Sequence, residues 1–501
     1  MPNDPVRVRF APSPTGPLHI GGVRTALYNY LFAKKMGGQF LLRIEDTDQK
    51  RYVDGAEEYI VKSLEWLGLW PDEGPGIGGD YGPYKQSERS ALYLEHIEKL
   101  LASGHAYYAF DTPEELNAQR EKDPNWTYNA SQRKGMRNSV SLPEEETKAL
   151  LEKREPYVVR IKIPTEREVV VDDVIRGKVV FNSKEIDDKV LMKQDGLPTY
   201  HLANVIDDHH MKITHVIRGE EWLSSAALHV LLYESFGWEA PNWVHLPLIL
   251  KPEGKGKLSK RDGEKGGFPV FPLNWNDPMS GEEIIGYKES GYFPEAVVNM
   301  LALLGWNPGT EQEIFSLEEL TKHFSLERIN RSGARFDPEK SKWFNQEYLR
   351  QKNNDELADL LLPFLNEKGF EADKNLSLKI VELMKERANF VRDMSEVDLL
   401  FHRPEKFDEK THRKKWKENT AQILKDYSNS VRSAEKFNAE QIEIDFKAFL
   451  EKNELGMGAL MPNLRLVLTG IGSGPSLYHI MEILGKEECL ARTEKGISKL
   501  S

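Results

Sequence analysis

The sequence predicts a multidomain protein that begins with an α/β domain on a parallel sheet, continues through an α+β insertion and ends in an all-helical half. Three features predict this order: a strand–loop–helix–strand pattern in the first fifty residues, a polar, Pro- and Glu-rich segment within 104–199, and helical periodicity after Pro338. A chain of 501 residues also exceeds what one hydrophobic core usually supports, so several domains are expected.

The N-terminal pattern predicts a βαβ unit. Val6 to Phe10 alternates apolar and basic residues, which is typical of a strand, and a Pro- and Gly-rich loop follows it. Apolar residues then recur at helical spacing from Gly22 to Lys35, and Gly37-Gly38 ends the helix before a second strand at Gln39 to Ile44. Two strands joined by a helix are expected to pair in parallel.

The later elements follow the same periodicities. Within the insertion, strand patterns occur at Tyr157 to Ile163 and at Val169 to Val174. The α/β pattern resumes at His201 to Ile206, His215 to Arg218, the helix Ser224 to Phe236 and the strand-like Val244 to Leu250. The helical half includes Asp355 to Lys368, Leu376 to Arg392 and Ala439 to Glu451.

Composition narrows the class of protein. Apolar residues make up 39% and charged residues 30%, which is typical of a globular protein and argues against disorder. Met1 to Asp4 lack the features of a secretory signal and no apolar run of about 18 residues occurs, so a cytoplasmic protein without a membrane span is expected. The single cysteine, Cys489, excludes an internal disulfide and a cysteine-based zinc site.

The net charge of the chain disfavours nucleic-acid binding, whereas one local cluster of basic residues is compatible with it. The net charge of −12 disfavours a polyanionic partner, because phosphate neutralisation drives such binding. A basic cluster nevertheless surrounds Trp416, consisting of Arg403, Lys406, Lys410, Arg413, Lys414, Lys415 and Lys417. Both a solvated helical face and a nucleic-acid contact fit this cluster.

The loop after the first strand is the first candidate site. Ligands of open α/β sheets bind beyond the carboxyl ends of strands, and this loop carries His19, Gly21 and Gly22 at the start of a helix. The glycines allow a ligand to approach the backbone, the helix start is expected to direct unpaired N–H groups at an anion, and His19 can donate to a phosphate. A purely structural histidine is the alternative.

A second candidate is the basic loop from Lys255 to Gly263, which has four cations in seven residues. Lysines on a mobile loop can close over a triphosphate and stabilise the charge that develops on departing pyrophosphate. The alternative is an exposed surface loop without a role.

Together these segments resemble the glutamyl-tRNA synthetases of bacterial type, a family of class I aminoacyl-tRNA synthetases. Residues 19–22 (HIGG) resemble the HIGH motif, and residues 257–261 (KLSKR) resemble the KMSKS loop in the variant of the glutamate and glutamine enzymes. Four further segments are similar to the family in the same order: RFAPSPTG at 9–16, RIEDTD at 43–48, PTYHLAN at 198–204 and VIRGEEW at 216–222. The resemblance extends over essentially the whole chain.

The resemblance implies the residues of the active site. It assigns glutamate binding to Arg9, Ala11, Ser13, Glu45, Tyr200, Asn204 and Arg218, with Glu45 facing the α-ammonium. It assigns ATP binding to His19, Gly21, Gly22, Glu221, Ile249, Ser259 and Lys260, and catalysis to His19, Lys257 and Lys260. Arginine pairs with a carboxylate through two parallel bonds and rejects an amide, but which arginine takes which carboxylate is left open.

The resemblance also implies domains and partners. Residues 1–103 and 200–255 are expected to form a Rossmann-like catalytic domain, 104–199 to bind the acceptor end of tRNA, 256–337 to contact the tRNA stem, and 338–501 to bind the anticodon. The expected partners are tRNA(Glu), L-glutamate and ATP with Mg²⁺, and a monomer is expected. Some relatives hold zinc through cysteines in the insertion. Here Tyr107 to Phe110 contain none, so no zinc is expected and aromatic packing is the proposed substitute.

Three alternatives stay open on the sequence alone. A non-discriminating enzyme would also glutamylate tRNA(Gln). A catalytically silent RNA-binding protein would keep the scaffold, although intact His19, Lys257, Lys260, Arg9 and Arg218 argue against it. A nucleotidyltransferase making a small dinucleotide would share the first motif, but it has no use for the helical half.

Overall fold

In the computed structural model, which describes residues 5–501, the chain starts with the predicted βαβ unit. Strands β1 (Arg7–Phe10) and β2 (Gln39–Leu42) pair in parallel and are connected by helix α1 (Ile20–Lys35). The helix begins two residues before the predicted start, because the His19 side chain caps it and accepts from the N–H of Gly21. Met1 to Asp4, on which part of the location prediction depends, lie outside the described residues.

The next part of the chain forms a small antiparallel sheet and a hairpin. Its elements are α2 (Ala56–Trp66), α3 (Ser90–Ala102), β3 (Ala106–Ala109), α4 (Pro113–Lys122), α5 (Glu144–Glu152), β4 (Val158–Ile161), β5 (Glu168–Asp173), β6 (Gly177–Asn182) and β7 (Val190–Met192). Strands β3, β4 and β7 form one antiparallel sheet, and β5 and β6 form the hairpin. Tyr107 and Tyr128 are buried against Ala109 and Met136 beside the first sheet. The expected aromatic packing is therefore present.

The chain then returns to the α/β pattern. The elements are α6 (Tyr200–His210), β8 (His215–Gly219), α7 (Leu223–Phe236), β9 (Asn242–Leu246), β10 (Ile249–Leu250), α8 (Lys260–Gly266), β11 (Trp275–Asn276), β12 (Glu283–Ile284), α9 (Pro294–Leu303), α10 (Leu317–His323) and β13 (Ala334–Arg335). The predicted strand from Val244 to Leu250 is split into β9 and β10 around Pro247, because proline cannot donate to a sheet ladder.

The α/β part contains a four-stranded sheet that is larger than the sequence indicates. Four strands pair in the order β6-β5-β9-β8, with β5 and β8 both parallel to β9. The loop before β8 joins this sheet to β1, since the N–H of Thr214 donates to the carbonyl of Arg7 at 2.9 Å. The hairpin of β5 and β6 falls within 104–199 of the sequence, yet it extends this sheet. This arrangement brings Asp173 against β9.

The C-terminal part is a separate compact unit that starts at Asn345. Its helices follow α11 (Pro338–Gln351) and are α12 (Asn354–Glu367), α13 (Lys374–Met384), α14 (Asp398–Phe401), α15 (Glu409–Lys415), α16 (Thr420–Arg432), α17 (Ala439–Lys452), α18 (Met457–Thr469), α19 (Leu477–Leu484) and α20 (Lys486–Leu500). Every regular element after residue 337 is helical, as predicted. The helix predicted to reach Arg392 ends at Met384, because the Asp393 carboxylate accepts from the N–H groups of Asn389 and Phe390 and starts a new turn.

The basic cluster lies in this second unit. Its seven cationic residues are all exposed, whereas Trp416 is half-buried against the apolar core of the unit. Arg403 is already paired with Glu488 at 2.6 Å. Across residues 5–501 the structure contains no helix that is long and apolar enough to cross a membrane.

Candidate active site

Most of the predicted site residues line one cavity of about 440 Å³. The cavity lies where β1 and β8 end, beside the start of α1 and against β10. The predicted residues that line it are Arg9, Ala11, Ser13, His19, Gly21, Gly22, Glu45, Tyr200, Asn204, Arg218, Glu221, Ile249 and Lys257. Residues from seven separate segments of the sequence therefore meet around one space.

Two predicted residues lie elsewhere. Ser259 caps helix α8, with its hydroxyl 2.6 Å from the carboxylate of Asp262. The Lys260 ammonium is 2.6 Å from the Glu282 carboxylate and 3.6 Å from that of Glu264, and it lines a separate depression. The structure does not bring either residue to the cavity.

His19 is a neutral hydrogen-bond donor at one end of the cavity. Burial, and then the charge of Lys257, lower the pKa of His19 to about 4. Its Nδ1 accepts from the N–H of Gly21 at 3.1 Å, so the proton of the neutral ring is on Nε2. Within residues 5–501 the buried Nε2 has no hydrogen-bond partner. A donor fixed in this way can bind a phosphate oxygen.

The start of helix α1 differs from the prediction in one respect. The N–H of Ile20 donates to the carbonyl of Val270, and those of Gly22 and Val23 donate to the carbonyl of His19. With Gly21 bonded to the His19 ring, the expected unpaired N–H groups are absent from residues 20–23, so that prediction is wrong. The histidine cap satisfies the backbone, and among the described residues Nε2 is left as the ring donor without a partner.

Gly21 and Gly22 lack a side chain for different local reasons. A Cβ on Gly21 would find only His19 Nδ1, at 3.5 Å, so the backbone there is open to the cavity. A Cβ on Gly22 would lie 2.6 Å from the Leu18 side chain. Gly21 therefore leaves room for a ligand, whereas Gly22 allows the loop to pack on its own helix.

Lys257 and Glu221 form an ion pair at the same end. Their charged atoms are 2.8 Å apart, and both side chains are about half exposed. Burial would raise the pKa of Glu221, but the hydrogen bond and charge of Lys257, a backbone N–H and the charge of Arg24 together lower it. The neighbouring Leu258 is buried, and its N–H donates to the carbonyl of Ile249 at 2.8 Å. This anchor holds Lys257 at the mouth of the cavity.

Buried ion pairs dominate the opposite end. Arg9 donates from Nε and Nη2 to both oxygens of Asp208, at 2.9 and 3.1 Å. Arg43 donates to Asp208 at 2.7 Å and to Glu45 at 3.1 Å. The Asn204 amide oxygen accepts from Nη2 of Arg9 and of Arg43. These contacts orient Arg9 and Glu45 towards the cavity before any ligand binds.

The pKa values of the two carboxylates Asp208 and Glu45 depend on burial and on the charges of Arg9 and Arg43. Burial would raise the pKa of Asp208, but the charges of Arg9 and Arg43 outweigh it and lower that pKa. Burial raises the pKa of Glu45, although Arg43 and Arg9 oppose it. A ligand ammonium beside Glu45 would favour the ionised carboxylate.

Arg218 is held differently from Arg9. Its Nη1 donates to the Tyr200 hydroxyl at 3.0 Å and its Nη2 to the Trp222 carbonyl at 3.3 Å. The other acceptors of the guanidinium are the rings of His229 and His245. The side chain is buried, and all of these partners are neutral. Arg218 can therefore pair with a ligand carboxylate without first breaking an ion pair.

Sequence reasoning missed the carboxylates behind the arginines. Asp207 and Asp208 are buried on helix α6, where Asp207 binds Arg89 at 2.7 Å. Two adjacent acidic residues inside an apolar helical segment were the available signal, because such residues are seldom buried without a partner. His245 and Asp173 gave no comparable signal.

The described residues offer no metal centre of protein ligands alone. No group of three or more His, Cys, Asp or Glu side chains in residues 5–501 is arranged to hold a metal ion. Cys489 is buried in the helical unit, where burial raises the pKa of its thiol to about 12. It is a packed apolar residue rather than a reactive one.

Comparison with known protein families gives two matches that together span most of the chain. Residues 5–343 match the family described as tRNA synthetases class I (E and Q), catalytic domain. Residues 356–497 match the family described as anticodon binding domain.

Individual relatives agree with these matches. The glutamate–tRNA ligase of Christiangramia forsetii is 56% identical over 99% of both chains, and that of Porphyromonas gingivalis is 54% identical over 100% of both. The crystal structure of a glutamate tRNA ligase from Elizabethkingia meningosepticum in complex with its amino acid superposes with a TM-score of 0.94 at 53% identity. It covers 99% of this chain and 100% of its own.

Proposed function

The chain belongs to the class I tRNA synthetases of the glutamate and glutamine type, and on this basis we propose that it attaches L-glutamate to tRNA(Glu) with consumption of ATP. One observation carries the proposal. A single cavity is lined by two arginines and a carboxylate that all interact with Tyr200, and by a neutral histidine donor that lies near a lysine. The first group suits a dicarboxylic amino acid and the second suits a triphosphate.

The amino-acid end provides a partner for each charge of glutamate. Arg9 and Arg218 offer donors to the two carboxylates, and Glu45 accepts from the α-ammonium. Ala11, Ser13, Tyr200 and Asn204 complete this pocket in the proposal. A glutamine amide has only one acceptor oxygen and would leave buried arginine donors unpaired, which disfavours it.

The nucleotide end acts by position and charge. His19 Nε2 donates to a phosphate oxygen, and Lys257 adds positive charge at the mouth. Gly21, Gly22, Glu221 and Ile249 border the nucleotide. Lys260 and Ser259 join them only if the loop moves, since Lys260 is paired with Glu282 in this structure.

The reaction has two steps. The glutamate α-carboxylate attacks the α-phosphate of ATP, the bond to the β-phosphate breaks, and glutamyl-adenylate and pyrophosphate form. A terminal hydroxyl of the tRNA then attacks the glutamyl carbonyl and AMP leaves. Neither step needs a covalent bond to the protein. We propose that Mg²⁺ enters with ATP, bound mainly through phosphate oxygens.

The remaining regions are proposed to hold the tRNA. Residues 104–199 bind the acceptor end, 256–337 contact the stem and 338–501 bind the anticodon region. The anticodon-domain match over 356–497 supports the last of these. A monomer is proposed from the family resemblance, and a cytoplasmic location is proposed because tRNA charging takes place there.

A charging assay tests the proposed function. Purified tRNA(Glu) and tRNA(Gln) are incubated with labelled glutamate, ATP and Mg²⁺, and label on the tRNA is counted. We expect ATP-dependent charging of tRNA(Glu). Equal charging of tRNA(Gln) would support the non-discriminating alternative, which no finding favours at present. No charging of either tRNA would contradict the proposal.

A further inference from the structure

Behind Arg218 lies a buried pair formed by Asp173 and His245. Asp173 ends β5, His245 is on β9 and Arg218 is on β8, so three neighbouring strands of one sheet meet here. The three residues are at most 5% exposed. Neither Asp173 nor His245 lines the cavity.

The hydrogen bonds fix the state of the His245 ring. Its backbone N–H and its Nδ1 both donate to one oxygen of Asp173, at 3.0 and 2.7 Å. Because Nδ1 carries the proton, Nε2 presents a lone pair, and it accepts from Nε of Arg218 at 3.0 Å. The carboxylate therefore selects the tautomer that can hold the arginine.

The Asp173 carboxylate cannot easily rotate away. Its second oxygen accepts from the N–H groups of Ile175 and Arg176, at 3.0 and 2.9 Å. Four donors thus surround it, three of them from the backbone. These four hydrogen bonds fix the Asp173 carboxylate, which orients the His245 ring, and the ring in turn orients Arg218.

The neutral character of the Arg218 partners sets it apart from Arg9. A second ring, His229, accepts from Nη1 of Arg218 at 3.3 Å. Arg9 instead pairs with the Asp208 carboxylate, whose charge offsets its own. Imidazole acceptors orient a guanidinium as a carboxylate does, but they do not cancel its charge. Arg218 has no carboxylate bonded to it directly, so its charge is offset less than that of Arg9.

We propose that Asp173 and His245 are positioning residues that hold Arg218 in place, with its charge free for a carboxylate of the amino-acid substrate. The proposal rests on the proposed function. It predicts that the pair acts on glutamate binding and leaves ATP binding alone, because His19 and Lys257 bind at the other end of the cavity. A purely structural role, as a link between β5 and β9, would instead affect both substrates or stability alone.

Steady-state charging of tRNA(Glu) separates these roles. The substitution H245L removes the acceptor at similar volume, and H245Q keeps an acceptor oxygen at the end of the side chain. For H245L we expect KM for glutamate to rise by about 10- to 100-fold, as for a lost hydrogen bond to a charged group. KM for ATP should stay within about twofold, and H245Q should restore most of the glutamate affinity.

His215→Leu is the matched control, because His215 is a half-buried histidine at the start of β8 that packs on Phe32, and it should change neither constant. An H245L enzyme with wild-type KM for glutamate, or with both constants raised equally, would overturn the proposal. If H245L does not fold, Asp173→Asn decides by the same constants. In either orientation the amide nitrogen of D173N faces backbone N–H groups, which loosens its hold on His245, so the same selective rise in KM for glutamate is expected. A wild-type enzyme that fails to charge tRNA(Glu) would refute the proposed function instead.

Discussion

The Lys260 ammonium is 2.6 Å from the Glu282 carboxylate, and both residues line a depression separate from the cavity that Lys257 lines. The hydrogen bond to Glu282 raises the pKa of Lys260, which stays charged. To reach a phosphate, this lysine has to leave Glu282. If Lys260 binds ATP as proposed, Glu282 competes with ATP for the same cation.

Removing that competitor should strengthen ATP binding. An exposed ion pair contributes about 0–1 kcal/mol, so Glu282→Gln should lower KM for ATP by up to about fivefold in the charging assay. The matched control is Glu313→Gln, which breaks a similar exposed pair with Lys340 at 2.7 Å. An unchanged or higher KM for ATP in the first variant would show that the pair does not restrain the loop.

Lys260 itself should act on adenylate formation. We expect Lys260→Ala to slow glutamate-dependent pyrophosphate exchange by about 100-fold, as when a fixed donor is removed from a developing charge, with little change in glutamate binding. The assay includes tRNA, because some enzymes of this family need it to form adenylate. Lys265→Ala, an exposed lysine on the same helix, is the control. Full exchange in the Lys260 variant would remove this residue from the proposed site.

The low pKa of His19 predicts a pH-dependent loss of stability. Its pKa is about 4 in the folded protein and near 6.5 when unfolded, so the unfolded state binds more protons between these values. Stability falls as pH falls through that window. Relative to His19→Gln, the wild type should lose about 1–2 kcal/mol more between pH 7.5 and pH 5. Denaturant unfolding at both pH values measures it, and equal losses would mean that the histidine is not buried in the folded protein.

Asp208 should be essential for the stability of the arginine pair. Asp208→Asn leaves Arg9 and Arg43 buried without their shared counter-charge, which should cost about 3–5 kcal/mol. Thermal unfolding should show this loss of stability as a lower transition temperature for the unit that ends at Phe344. Asp195→Asn, at an exposed residue 3.5 Å from Lys193, should have almost no effect. Similar losses in both variants would show that Asp208 does not hold the two arginines in place.

The sequence predicted the local parts of the site well. The βαβ unit and the helix start near Gly22 follow from periodicity, and the resemblance implied that His19, Gly21 and Lys257 share a site; the structure forms the unit and brings the three residues to one cavity. The catalytic roles of these residues stay predictions. Periodicity does not give side-chain direction, so it could not show that the His19 ring accepts from the N–H of Gly21, which was expected to be unpaired.

Long-range register was also beyond the sequence. Asp173 and His245 are 72 positions apart and meet only because β5 pairs with β9, although the sequence placed β5 in the insertion. The ion pair between Lys260 and Glu282 likewise depends on a contact between residues that are 22 positions apart. Such pairings arise from tertiary structure and leave no periodic trace.

The cavity is proposed to accept a dicarboxylic amino acid for transfer to tRNA, and amino-acid selectivity tests this proposal best. The experiment compares glutamate, glutamine and aspartate, each labelled, in charging of purified tRNA(Glu) with ATP and Mg²⁺. We predict charging with glutamate and at least about 1,000-fold lower kcat/KM for the other two, because each leaves buried charged groups unpaired. Charging with glutamine at a rate comparable to glutamate would contradict the proposal.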